Sequence, residues 1–229
     1  MNRSPRGLRA DGEATRTRIL EAAGELFAGT GYAETTNKAI AARAGVDLAS
    51  INYHFGNRGG LYQAVLAEAH RRLVDVDDLR QVADSGLPPT AKLRLLIEQL
   101  VARATQEPQS WHLRMLAREV LAPTSHLQTL IQDEAQPKMA IAKRVLGEIT
   151  AIAEDDPALT RCLLSVAAPG LMLMVGGRNF PGPAQEVFRM SPQTIVDHLY
   201  HFALGGLAAI GREHARQAEA IPAATPGCA

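Results

Sequence analysis

The chain has 229 residues, enough for one large domain or a small one joined to a larger one. Hydrophobic residues make up 46% and aromatics only 4%; Ala and Leu dominate and no Val/Ile/Thr-rich alternation occurs, a composition that favours helices over sheet. The formal net charge is +0, which excludes a uniformly basic polyanion binder and makes any nucleic-acid surface a local one.

The first 14 residues are polar, with Arg3, Arg6 and Arg9 ahead of the first acid, Asp11, and read as a flexible basic arm without an apolar signal core. From Thr15, Ile19, Ala23, Leu26 and Phe27 fall at helical spacing, and Gly29 and Gly31 end that helix. Thr35 or Thr36 can cap a second helix carrying Ile40 and Ala44, a third covers about 47–54, and a fourth runs from near Arg58 to about Arg80. Beyond the Ser85-Gly-Leu-Pro-Pro loop only helical patterns follow. They cover about 90–105, about 109–121 and a long stretch 124–153, which contains Pro137 and is one kinked helix or two. Asp156-Pro157 and Ser191-Pro192 are cap-plus-proline starts for helices at about 157–177 and 191–218; residues 178–190 read as a Pro/Gly loop and 221–229 as a disordered tail. The longest apolar run, 163–177, contains Pro169 and three glycines and is too short and broken for a membrane span. Two cysteines, Cys162 and Cys228, make neither a disulfide framework nor a zinc set and suit a reducing cytoplasm. The expected fold is all-α: a three-helix unit over 15–57 and a larger helical domain over 58–220.

The stretch "AARAGVDLASINYHFGNRGGLY" carries the most chemistry. Two short helices joined by a tight turn need a small residue on the first, a residue tolerant of positive φ in the turn, and an apolar residue pointing back from the second. Ala41, Gly45 and Ile51 supply these at offsets of four and six, and Ile40, Val46 and Phe55 complete a small core with Leu26 and Phe27. This is helix-turn-helix spacing. The second helix then turns Asp47, Leu48, Ala49, Ser50, Asn52, Tyr53 and His54 to solvent, short or planar groups able to reach base edges and phosphates. The plain alternative is an αα-hairpin with a solvated face. Through residue 60 there are eight bases, among them Lys38, Arg43 and Arg58, against six acids, a net of +2. The arm's arginines could reach a minor groove or simply be solvated.

The stretches "TRTRILEAAGELFAGTGYAETT", "IAARAGV" and "INYHFGNRGGLYQAVL" resemble the N-terminal domain of the tetracycline-repressor (TetR) family of bacterial regulators, over residues 15–66. The Asn-Tyr-His-Phe-Gly form resembles a subgroup with a CerR-type C-terminal domain. The resemblance implies a phosphate contact from Thr36 at the start of helix two and base readout from Asp47 to Ser50. It implies a phosphate anchor where Arg58 replaces the usual lysine. Two positions depart from the pattern: Asn52 stands where an aromatic is usual, and Gly59 where an acid is, which implies a later start for helix four. It further implies double-stranded operator DNA, a small-molecule effector and a second copy of the chain as partners, without a cofactor.

In the larger domain no catalytic constellation stands out. Trp111 and Met115 are four apart on one face, and Met172 and Met174 lie in the apolar helix with Pro169 and Gly170, so these can line an adaptable cavity or simply pack. Arg114, Arg118 and Arg178 are candidates for an anionic effector. On the last helix Leu199, Phe202, Gly205 and Gly206 are the expected dimer contacts, since the family's last two long helices pair with their copies as a four-helix bundle. His198 and His201, three apart, keep open an all-helical enzyme or metal protein as the alternative, although no metal site is assigned. A structural scaffold is a third reading. The expectation is a cytoplasmic, homodimeric, ligand-released repressor that binds a palindromic operator and is not an enzyme.

Overall fold

The computed structural model describes residues 5–106, 110–176 and 184–220, and among the described residues every regular element is helical. Among the described residues twelve α-helices follow one another: α1 Pro5–Thr30, α2 Asn37–Ala44, α3 Leu48–Phe55, α4 Arg58–Leu73, α5 Val76–Ala83, α6 Pro89–Gln106, α7 Trp111–Leu121, α8 Leu127–Leu130, α9 Gln136–Thr150, α10 Pro157–Gly176, α11 Ala184–Arg189 and α12 Pro192–Ala220.

Several boundaries differ from expectation, each for a local reason. Helix α1 begins at Pro5, so residues 5–14 of the expected arm are helical backbone; proline suits a first turn, where its missing N–H has no partner to lose. Helix α4 starts at Arg58 and not later, because the Asn57 side chain accepts from Gly60 N at 2.9 Å and caps it. It stops at Leu73, and Asp75 restarts the chain as α5 by accepting from Asp77 N and Asp78 N. In the 124–153 stretch, Pro137 is in the first turn of α9 and kinks nothing; a single π-helical turn, Ile131–Ala135, joins α8 to α9 instead. The expected 178–190 loop contains α11.

Two apolar cores form. The first gathers Ile19, Ala23, Phe27, Ile40, Ile51, Leu61, Val65 and Leu66 from α1–α4, together with Trp111, Leu113, Met115 and Leu116 from α7. The second gathers Leu93, Ile97 and Val101 of α6 with Leu146, Leu159, Cys162, Leu173, Ile195, Val196 and Leu207. Helix α7 thus packs with the N-terminal unit although residues 74–110 separate it from the end of α4.

A polar ladder runs along that seam. Trp111 Nε1 donates to Glu21 at 2.6 Å, Arg114 to Glu25 at 3.0 Å and Arg118 to the Thr30 carbonyl at 3.4 Å. Residues 111, 114 and 118 climb α7 as 21, 25 and 30 climb α1, so the two helices run side by side in the same direction.

By length and composition alone, Pro157–Met174 of α10 meets the requirement for a membrane-crossing helix. One face of it is nonetheless core: Ala158, Leu159, Cys162, Leu163 and Leu173 are buried against α6, α9 and α12.

Candidate nucleic-acid interface

The turn between α2 and α3 depends on Gly45. Its backbone is left-handed, at φ 64° and ψ 43°, a conformation costly for residues with a Cβ. Gly45 N and Val46 N close the end of α2 onto Ala42 O and Ala41 O at 3.3 and 3.1 Å. Ile51 is fully buried beneath the turn and holds α3 against the first core.

With that side anchored, α3 turns its other side outward. Asp47, Ala49 and Asn52 are exposed, Leu48 is 52% exposed and Tyr53 is 85% exposed, a large amount for an aromatic residue. Ser50 and His54 are half-buried at the edges of this face. Tyr53 meets the His54 ring edge-on, with centroids 5.0 Å apart.

Asp47 is the N-cap of α3. Its Oδ1 accepts from both Ser50 N and Ser50 Oγ at 2.7 Å, and these bonds hold its carboxyl below the usual range, the hydroxyl bond contributing most. Asp47 is therefore ionised and stands as a cap rather than as a phosphate contact. The hydroxyl proton of Ser50 is committed to Asp47, so towards a base edge Ser50 offers lone pairs, which suit the amino group of adenine or cytosine.

Thr36 caps α2 by accepting from Ala39 N at 3.1 Å, and its own hydroxyl proton remains available to a phosphate oxygen. Lys38 is exposed in the same first turn. The Arg58 guanidinium, at the head of α4, lies 4.3 Å above the Tyr32 ring and donates to Ala33 O at 3.2 Å. Thr36 and Lys38 thus stand at the start of α2, Asp47–Ser50, Asn52, Tyr53 and His54 on α3 and its cap, and Arg58 at the start of α4.

The residues expected at an effector site are not brought together. Trp111 is buried at the α1–α7 seam beneath Arg72, and Met115 is fully buried in the first core. Arg118 reaches the end of α1, and Met172 is 53% exposed on the outside of α10. Arg178 lies outside the described residues. The physical reason is the stripe itself: continued by four, Trp111 and Met115 lead to Glu119, and this face of α7 packs on the N-terminal unit. Two open depressions do lie on the larger domain. One of about 490 Å3 is lined by Thr124, Ser125, Leu127, Gln128, Ile131, Gln132 and Gln136, and one of about 260 Å3 by Gln136, Met139, Lys143 and Thr160 among others.

The expected dimer residues divide. Leu199 packs against the second core, whereas Phe202 is 71% exposed, and Gly205 and Gly206 are exposed with open space where a Cβ would stand. On the same helix the His201 ring pairs with its own turn, Nδ1 to Asp197 O at 2.7 Å, and His198 stacks on Phe202.

Sequence reasoning missed Tyr62, Glu119, Tyr32 and His126. Tyr62 donates to the buried Glu119 at 2.7 Å, and Glu119 also accepts from Thr124 N and Thr124 Oγ1. The one signal available was an acid at the i+8 position of the Trp111–Met115 stripe.

A buried three-helix unit with a left-handed glycine turn, an outward polar helix face and capped helix starts around it defines a helix-turn-helix DNA-binding protein with a large all-helical second domain. Comparison with known proteins makes this particular. Residues 19–65 match the family model "Bacterial regulatory proteins, tetR family", and residues 89–207 match the C-terminal domain of the "HTH-type transcriptional dual regulator CecR". The chain belongs to the TetR family of transcriptional regulators, and the C-terminal type expected from the Asn-Tyr-His-Phe-Gly form carries the name CecR. It is 24% identical to the transcriptional regulator UidR of Escherichia coli K12 over 189 residues, 74% of this chain and 95% of UidR. It is 40% identical to TtgR of Pseudomonas putida over 97 residues, 42% of this chain and 45% of that one. A solved transcriptional regulator of Pseudomonas aeruginosa PAO1 has the same fold, with a TM-score of 0.68 at 18% identity over 86% of this chain and 92% of that one. The alternative of an enzyme or metal protein built on the last helix finds no support among these relatives.

Proposed function

We propose that this regulator acts as a homodimeric repressor in the bacterial cytoplasm, binding a palindromic operator and released from it by a small molecule. The observation that carries the reading is a pair of outward faces. On α10 the exposed residues Leu164, Ser165, Ala168, Leu171 and Met172 recur every three or four positions; on α12 Phe202, Gly205, Gly206, Ala209 and Ile210 do the same. The two helices pack on each other, so their apolar and small residues make one surface. A second copy across it gives the four-helix arrangement, burying what one chain leaves in water. Met172 falls on this face, which favours a dimer role over the effector role expected for it.

Two-fold symmetry then sets two copies of α3 against successive major grooves, which must be about 34–36 Å apart. Thr36, Lys38 and Arg58 anchor phosphates, and Leu48, Ala49 and Ser50 approach base edges. An effector that binds better to another spacing lowers DNA affinity by its differential affinity for the two states. Capture of genomic fragments by the purified protein, with and without candidate small molecules, tests this. A recovered inverted repeat, lost on adding an effector, supports it; recovery of only single half-sites, or of DNA without common sequence, refutes it.

A further inference from the structure

At the head of α4 a side chain from the α7–α8 turn intrudes. The turn between α7 and α8 is built on Glu119, which binds the backbone N–H and the hydroxyl of Thr124 at 2.9 and 2.7 Å. Thr124 Oγ1 in turn accepts from His126 N at 3.2 Å. The turn so formed carries the His126 ring onto two tyrosines: 5.4 Å from Tyr32 and 5.1 Å from Tyr62 between centroids, with Tyr32 and Tyr62 themselves 4.6 Å apart. Tyr62 is fixed from below by its hydrogen bond to Glu119. Tyr32 carries the Arg58 guanidinium on its ring.

Gly59 records the same intrusion from the other side. A Cβ on Gly59 would stand 3.4 Å from His126 Cε1 and 3.2 Å from the capping oxygen of Asn57, so a longer side chain there would run into the imidazole. The acid that the family resemblance leads one to expect beside Arg58 is absent where His126 stands.

We infer that His126 is a positioning residue for DNA binding: its ring, delivered by the α7–α8 turn, holds Tyr32 in the place from which that ring orients Arg58 towards phosphate. The inference rests on the reading of Arg58 as a phosphate anchor. Three mutually packed rings leave Tyr32 little freedom, and an arginine stacked on a fixed ring loses less conformational freedom when it binds. Without His126, Tyr32 has one neighbouring ring fewer, and Arg58 keeps its bond to Ala33 O but loses the fixed ring on which it stacks.

The test uses the full-length protein and a fluorescent duplex that the wild-type protein has recovered from random-sequence DNA, with affinity followed across a salt series. In a homodimer the substitution is present twice, so Arg58→Ala should lower the slope of log affinity against log salt by about 1.8, the share of two phosphate contacts at about 0.9 each. His126→Ala should lower it by the same amount, each variant binding about ten-fold more weakly at fixed salt, and the double variant should lose no more than either alone. His126→Phe, which keeps an aromatic ring, should retain the wild-type slope; His126→Leu, which fills the space without one, should not, and it serves in place of the alanine variant if that does not fold. A wild-type slope in His126→Ala or His126→Leu, or a lowered one in His126→Phe, overturns the inference while leaving the anchor in place. An unchanged slope in Arg58→Ala overturns the anchor reading itself and the inference with it.

Discussion

Two polar residues on α4, the buried Tyr62 and the half-buried His70, tie the N-terminal unit to the larger domain. Burial and the bond to Glu119 hold the Tyr62 phenol above its ordinary range, so it remains a donor to that carboxylate at neutral pH. Tyr62→Phe leaves a buried acceptor with one partner fewer and should destabilise the fold by about 1–2 kcal/mol, seen as a lower urea midpoint at constant m-value. Further along the helix, Lys138 of α9 lies 2.9 Å from His70 Nδ1, with Glu134 on its other side at 3.2 Å. Burial, reinforced by the Lys138 charge, pulls His70 down from 6.5 to about 4, and a neutral ring accepts the lysine's hydrogen bond. The unfolded chain binds this proton below about pH 6.5 and the folded chain only near 4. Stability therefore falls as pH drops through that window, by up to about 3 kcal/mol in total, and is level above it. In urea titrations from pH 7 to 4.5, wild type should lose more stability than His70→Gln; parallel losses would mean that His70 titrates freely.

Helix α3 shows how a short element divides its labour. Ile51 was readable as its inward residue, and the polar set around it as outward, because an eight-residue helix with one buried position has little ambiguity of phase. What spacing could not show is that Asp47 and Ser50 first satisfy each other, which turns one into a cap and the other into an acceptor. Leu48→Ala and Ser50→Ala should each change preference at particular base pairs, Ser50→Ala where adenine or cytosine presents its amino group. Single contacts of this kind should cost less than the about 1–3 kcal/mol of a bidentate pair. Binding to a panel of single-base operator mutants measures it, and profiles identical to wild type in both variants would place readout elsewhere. Helix α7 is the contrasting element. Its stripe is as regular as that of α3, yet periodicity says only that a face is buried. Which neighbour covers it depended on Glu21, Glu25 and Thr30 lying alongside.

For the whole molecule the decisive surface is the one a single chain leaves uncovered. Gly206→Arg is a clean probe, since none of the described residues lies within 4 Å of a Cβ there and the monomer should fold unchanged. In a dimer the same cation would be buried against its copy without a partner, at a cost of several kcal/mol. Light scattering should report monomers, circular dichroism an intact helical fold, and specific DNA affinity should fall steeply with the paired half-site. A variant that remains dimeric with normal affinity would show that α12 does not form the interface.

The all-helical class, the start of each helix that follows a cap-plus-proline pair, and the α2–α3 turn were legible in the sequence because each rests on contacts within a few residues: a side chain on its own backbone, a glycine at positive φ, an apolar stripe with a short period. The end of α4 at Leu73 was missed even though its cause, the Asp75 cap, is equally local, since an apolar pattern ran on past it. Three other features were decided only in three dimensions. These are the packing of α7 with the DNA-binding unit, the placing of Trp111 and Met115 in its core rather than around an effector, and the arrival of His126 at the head of α4. Each joins residues some 57 to 94 positions apart, and no local periodicity encodes which of several apolar faces will meet, because that choice is made by the fit of whole helices around a shared core.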